Sequence, residues 1–368
     1  MNLRSREIVE ALVSAGILFL FPGASVLAAG TDTAPSAAAF VAPVGDWPAA
    51  IQKPPTSPTA RRMSPPAVTA QGKPIRDAAE WKGRRARILA DWQTILGRPP
   101  ERCPLAPREI ESKDCGTYRR RKIELQVEPG EWMPAWLFVP KGRGPWPAVV
   151  EMHPTRDDNM DYSLGDGTAI YLVEHGYVVL APRNYLWGYR GLKMKEAATD
   201  LLRRYPAWTG MGKMLWDGRR AVDYLETLDV VRLDRIGAIG HSLGAKEVLY
   251  MAAFDPRIVA TVFSEGGIGL TFSNWDAVWY LGDQIHRPDF GHDHQELMAL
   301  IAPRGFLLLG GDSADGDRSW PYVEAVLPVW KLLGAPDAVG MFNHKDGHKL
   351  NEPARRLAYQ FLDRFLKK

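Results

Sequence analysis

The sequence predicts an α/β protein: a mostly parallel central sheet flanked by helices. Short apolar strands alternate with helical patterns from about residue 118 onward, as in Pro147 to Met152, Tyr177 to Ala181 and Arg235 to Gly240. Such near-continuous apolar runs are what strands buried on both faces look like. The chain has 368 residues, 46% of them hydrophobic, enough for one large domain plus extensions. A serine also stands between two glycines where a strand pattern gives way to a helix pattern, in Gly240-His241-Ser242-Leu243-Gly244. In open α/β sheets the chemistry gathers at the carboxyl ends of the strands.

Taken in order, residues 1–28 read as a signal peptide. Arg4 and Arg6 precede an apolar run from Ala11 to Phe21, Pro22-Gly23 breaks it, and Val26-Leu27-Ala28 offers a cleavage pattern. The run is shorter than the roughly 20 residues needed to cross a bilayer. The mature chain is therefore expected to be periplasmic or secreted, without a stable membrane anchor. Residues 29–75 are rich in Pro, Ala, Thr and Ser and read as a flexible leader. Residues 76–117 form a helical extension, in which Trp81, Ile88, Leu89, Trp92, Ile95 and Leu96 recur at helical spacing before Gly97. Cys103 and Cys115 could close a small loop in an oxidising compartment or stay as thiols.

Residues 118–368 make the main domain. Arg121 to Val127 and Trp132 to Val139 flank a turn at Pro129-Gly130 and predict an antiparallel pair. Helices are expected over Thr168 to His175 and Met214 to Leu228, and again at the C-terminus, where Leu357, Phe361, Leu362 and Phe365 share a face. Ile258 to Ser264, Phe306 to Leu309 and Ala338 to Phe342 supply three more strands. Net charge is only +3 and no basic block is interleaved with aromatics, which excludes a nucleic-acid partner.

A serine flanked by glycines at a strand-to-helix junction has a mechanical reason. The turn lifts the hydroxyl above the sheet, and the helix N-terminus favours developing negative charge. A hydroxyl needs a base, which in this architecture follows the last strand. His348 fits and is preferred to His344, because Gly347 precedes it and Pro353 marks the next helix. A carboxylate should orient that histidine. Asp317, four residues before Pro321, is the first choice; Asp315 and, at the end of another strand, Glu265 are alternatives. The Leu243 N–H and one from the loop after Met152, Thr155 or Arg156, are expected to form an oxyanion hole. His153 is expected to shape that loop.

From about Trp81 to Lys368 the chain resembles α/β-hydrolases of the dienelactone-hydrolase-like and acetylxylan-esterase-like group. The motifs "PAVVEMHPT", "GYVVLAPRNY", "GAIGHSLGAKEVLYMAAFDPRI", "LIAPRGFLLLGG" and "GHKLNEPARRLAYQFLDRFL" carry the resemblance. It implies an α/β-hydrolase fold with a catalytic domain over 118–368. Dienelactone hydrolases themselves use a cysteine nucleophile, so Ser242 argues against that activity. The stretch around Ser242 is also similar to glucuronoyl esterases, which carry a lysine where Lys246 stands and a glutamate where Glu265 stands; in them that glutamate can be the triad acid. Leu243 departs from their arginine.

The expectation is a serine carboxylic-ester hydrolase working through an acyl-enzyme, with no cofactor and no metal. A carbohydrate esterase of the acetylxylan-esterase type comes first, acting on a small ester or an esterified polysaccharide. A glucuronoyl-esterase-like activity is the alternative. A prolyl-oligopeptidase-type peptidase is disfavoured because too little chain precedes the domain for a β-propeller, and a non-catalytic binding fold because all three triad types occur in order. Two aromatic-rich insertions, residues 184–213 and 266–295, should roof the site, with Trp187, Trp275 and Trp279 as candidate sugar platforms. Asp293 and Glu296 in "GHDHQE" read as a helix-capping pair rather than metal ligands.

Overall fold

Capping chemistry at Asp77 decides where the first helix begins. Asp77 Oδ1 accepts the Glu80 N–H at 2.8 Å, and Glu80 Oε2 accepts the Arg76 N–H at 3.1 Å, which satisfies two donors at the helix start. The helix, α1 (Ala78–Leu96), buries Trp81, Ile88, Trp92 and Leu96 along one stripe. In the computed structural model the described residues are 49–367, except 53, 57–62, 70, 166 and 189–190. All of them fall within one compact unit, Pro35–Lys368. The expected signal peptide lies outside the described residues, as does the first part of the leader.

The chain continues through β1 (Arg108–Asp114), β2 (Tyr118–Glu128), β3 (Glu131–Pro140), β4 (Trp146–Met152), α2 (Thr168–Glu174) and β5 (Val178–Pro182). Next come α3 (Met194–Arg204), α4 (Gly210–Leu225), β6 (Val231–His241), α5 (Leu243–Phe254) and β7 (Ile258–Ser264). The last elements are α6 (Gln295–Ile301), β8 (Gly305–Gly310), α7 (Trp320–Leu332), β9 (Val339–Asn343) and α8 (Glu352–Leu366). The strands form one sheet in the order β1-β2-β3-β5-β4-β6-β7-β8-β9. Pairing is antiparallel from β1 to β5 and parallel from β5 onward. This is the mostly parallel sheet that the sequence predicts.

Side-chain alternation along β6 shows how the sheet is covered. A side chain at Gly237 would point at Leu362 and Leu366 of α8, whereas one at Gly240 would meet the Gly244 carbonyl of α5. Positions three apart on a strand face opposite sides, so α5 and α8 lie on opposite faces of the central strand. Both faces of β6 are consequently dry from Ile236 to Gly240, and its carboxyl end is held from two sides.

Three expectations change. β1 belongs to the sheet, so residues 108–114 are not part of a separate helical extension; every one of its residues is exposed, because it forms the edge. Some of the described leader is packed: Ile51 is buried, and Gln52 Nε2 donates to the Pro336 and Val339 carbonyls at 2.7 and 2.8 Å beside β9. Burying one isoleucine contributes about 2 kcal/mol. The Asp293–Glu296 capping pair is also replaced. Glu296 instead accepts the indole N–H of Trp92 at 2.9 Å and pairs with Arg84 at 3.1 Å, pinning α1 onto α6.

Cys103 and Cys115 are both free thiols, with Cys103 Sγ near the Gln126 carbonyl and Cys115 Sγ near that of Lys113. Thiol titration of the unfolded, unreduced chain is expected to return two thiols per chain. A count of zero would mean a bridge that this arrangement does not contain.

Candidate active site

The β6–α5 turn is built around close backbone approach. A Cβ at Gly240 would lie 2.2 Å from the Gly244 carbonyl oxygen, and one at Gly244 would lie 2.1 Å from the Met152 carbonyl oxygen. Only glycine fits at either position, and the first turn of α5 therefore sits directly against the loop after β4. Between the glycines, Ser242 has φ 56° and ψ −116°, a left-handed conformation that costs a non-glycine residue about 1–3 kcal/mol. Its N–H is held by the Ser264 carbonyl at 2.8 Å. Leu243 is the first residue of α5, where a backbone N–H has no partner within the helix. Thr155 is exposed on the loop after β4, and His153 on the same loop is buried with both ring nitrogens lacking a hydrogen-bond partner.

Two further loops converge on the serine. His348, between β9 and α8, places Nε2 2.9 Å from Ser242 Oγ and Nδ1 3.0 Å from Glu265 Oε2. In this arrangement the hydroxyl donates to Nε2 while Nδ1–H donates to the carboxylate. Glu265 follows β7 directly with φ 51°, a second strained residue. It is fully buried and accepts the N–H groups of Gly311, Ala314 at 2.7 Å and Asp315 at 3.3 Å. Burial pushes its carboxyl up, but the hydrogen bond to His348 and those three N–H groups outweigh burial and hold it below its ordinary value. It is ionised and aimed at the imidazole.

Glu265, rather than Asp317, therefore faces His348. Asp317 turns away and accepts Asn343 Nδ2 at 2.8 Å and Lys345 Nζ at 3.3 Å. Asp315 is buried and accepts the Gly267 and Ile268 N–H groups at 2.6 and 2.9 Å, so it braces the start of the 266–295 insertion. His344 anchors its loop through its backbone N–H to the Gly310 carbonyl.

The proposed tryptophan platforms also change place. Trp275 is fully buried, donates to the Gly267 carbonyl at 2.8 Å, and packs against Tyr280 and His294. Trp187 is 5% exposed. Trp279 is half-buried, and its carbonyl lies so close to Gly210 that a Cβ there would come within 2.3 Å. None of the three lines the cleft beside His348, so they hold the insertions onto the domain. Lys246 is part of this packing: its Nζ donates to Ser273 Oγ at 2.7 Å and sits 3.9 Å from the Trp275 ring. Burial pulls its pKa down to about 7, against the pull of Asp315.

Beside His348 opens a cleft of about 310 Å³, walled by the end of β4, the loop after it, His241 and the start of α8. Sequence reasoning missed most of this wall, including Glu151, Tyr162 and Arg355. The only signal for Arg355 was its place seven residues after His348 at the start of an amphipathic helix. His241 contacts Ser264 Oγ at 3.0 Å and lies 4.9 Å from the His348 ring. Burial first, then the neighbouring His348, pulls its pKa down to about 4, so it stays neutral.

Residues 133–273 match the dienelactone hydrolase family. The protein has the α/β-hydrolase fold. This hydrolase is similar to YtaP of Bacillus subtilis (strain 168), 28% identical over 74% of this chain and 96% of the relative. It is also similar to 4-O-methyl-glucuronoyl methylesterase 1 of Wolfiporia cocos (strain MD-104), 24% identical over 83% of this chain and 81% of the relative. Among solved structures, a glucuronoyl esterase from Solibacter usitatus superposes with a TM-score of 0.68 at 18% identity, covering 83% and 98% of the two chains. The hydrolase is a serine carboxylic-ester hydrolase with the dienelactone-hydrolase-like fold and local similarity to glucuronoyl esterases that its motifs imply.

Behind the serine, α5 carries a buried carboxyl, Glu247, which burial pushes up to about 8, with the Asn184 amide opposing and Asp217 adding to the rise. Folded, it keeps its proton up to about pH 8; unfolded, it loses it near its ordinary 4.5. The folded state binds more protons in that interval, so this group's contribution to stability falls as pH rises through it. Relative to wild type, Glu247→Gln should therefore gain in Tm between about pH 5 and about pH 9. A difference in Tm that does not change with pH would contradict this.

Proposed function

We propose that this hydrolase is an exported carbohydrate esterase that cleaves esters of uronic acids of the glucuronate type. Ser242 Oγ attacks the ester carbonyl while His348 Nε2 takes its proton. Glu265 fixes the imidazole tautomer and stabilises the imidazolium that forms. The Leu243 N–H and a donor from the Thr155 loop receive the oxyanion. His348 then returns the proton to the leaving alcohol, and a water, activated by the same histidine, hydrolyses the acyl-enzyme.

The observation that carries this reading is the position of the acid. A glutamate at the end of β7 supports His348, and an acid after β8 does not. This is the placement that the resemblance to glucuronoyl esterases implies, and the similarity to a 4-O-methyl-glucuronoyl methylesterase over most of the chain supports the same substrate class. The reading therefore moves from acetylated xylan to a glucuronoyl ester. Leu243, where glucuronoyl esterases hold an arginine, means that the oxyanion is met here by backbone donors without a cation from that position. Among the described residues no helix is long and apolar enough to cross a membrane, which is compatible with export directed by residues 1–28.

The test is hydrolysis of the methyl ester of 4-O-methyl-glucuronate beside acetylated xylan, with wild type and Ser242→Ala. The expected result is a higher kcat/KM on the glucuronate ester and a loss of about 10³-fold or more in the variant. Deacetylation of xylan with no cleavage of the glucuronate ester would overturn the substrate class. Full activity in Ser242→Ala would overturn the mechanism.

A further inference from the structure

The cleft beside His348 carries charges that the catalytic groups leave unused. Arg156, Lys349, Arg355 and Glu151 all stand on its wall. Three of them are engaged close by. Arg156 binds Asp158 through two N–H groups at 2.8 and 3.0 Å, and Lys349 pairs with Asp346 at 2.8 Å. Glu151 accepts the Ser163 hydroxyl at 2.7 Å.

Arg355 differs. Its Nη2 reaches only the Leu350 carbonyl, at a long 3.4 Å, and its Nε is buried with no hydrogen-bond partner. Among the described residues no carboxylate salt-bridges it. A guanidinium with a buried, unsatisfied N–H and no counter-ion, on the wall of a cleft, is an incomplete arrangement.

The direction of the chemistry says which half of an ester lies there. His348 Nε2 must deliver its proton to the leaving oxygen, so the alcohol half departs along the wall that carries His348, Leu350 and Arg355. We propose that Arg355 selects esters whose alcohol half bears a carboxylate, held by the guanidinium as the ester oxygen faces His348. Met152, Ile239 and the Tyr162 ring line the same cleft and suit an apolar body between the ester and that carboxylate. The cleft volume, about 310 Å³, fits a small group at the lower end of the usual ligand range. An arginine–carboxylate pair is charge-assisted and commonly bidentate, which gives direction as well as attraction. Arg355 touches the leaving group and takes no part in bond breaking, so it is a specificity residue.

This inference rests on the serine-esterase reading but not on the identity of the acid half. It is tested with two acetate esters that differ only in the alcohol: phenyl acetate and 3-carboxyphenyl acetate. The quantity read is the ratio of their kcat/KM values in wild type, Arg355→Gln and Arg355→Lys. The expected result is a fall of about 10- to 100-fold in the preference for the carboxylated ester in Arg355→Gln. Partial recovery should follow in Arg355→Lys, and the wild-type preference should shrink at high salt. A ratio that is the same in all three proteins overturns the proposal and leaves the esterase reading standing, provided that phenyl acetate turnover depends on Ser242. Turnover that does not depend on Ser242 removes both.

Discussion

The active site depends on one buried carboxylate. Glu265 is where three separate pieces of the chain meet: its own position at the end of β7, the backbone of the loop after β8, and the imidazole of the loop after β9. Taking a charged carboxylate out of water is costly unless every lone pair finds a donor. Here three backbone N–H groups and His348 supply those donors, so the charge survives burial and remains directed at the histidine. The β8 loop is thereby shaped by a side chain from another strand. The histidine loop is joined to both, since the Gly347 N–H donates to the Gly311 carbonyl at 2.7 Å.

Part of the backbone strain sits where chemistry needs it. Ser242 and Glu265 both hold positive φ, and both directly follow central strands of the parallel sheet. Neighbouring strands over-determine their backbones: Ser242 N–H is held by Ser264 O, and Glu265 N–H by Leu309 O at 2.9 Å. The central strands β4, β7 and β8 are buried along nearly their whole length, so this part of the sheet can carry about 1–3 kcal/mol of strain at each residue. Buried neutral histidines extend this logic. Burial keeps His153 near 3 and His241 near 4, so neither adds a second imidazolium beside the one that forms at His348.

Much of this was legible because it is local. Strand β6, its glycine-flanked serine and the following helix are adjacent in sequence, and each residue there agrees with its neighbours about the turn. His348 was legible from chain order, since the base follows the last strand. The acid was not, because Glu265 and Asp317 are both carboxylates just past a strand, and the choice lies in distances between loops after β7, β8 and β9. Trp275 illustrates the same gap. An indole in an aromatic-rich insertion can pack inward or face a cleft, and its burial follows from Tyr280 and His294, which sequence alone does not bring to it. Strand β1, "REIESKD", has no apolar alternation because neither face is covered, so its only structural signal is its pairing with β2.

The central claim is that Glu265, and not Asp317, supports His348. The measurement that tests it most directly is kcat for p-nitrophenyl acetate in Glu265→Gln beside Asp317→Asn, with folding checked by circular dichroism. The account predicts a fall of about 10³- to 10⁴-fold in Glu265→Gln, as expected when a triad histidine loses its orienting carboxylate, and a change within a few-fold in Asp317→Asn. A large loss in Asp317→Asn with activity retained in Glu265→Gln would contradict it.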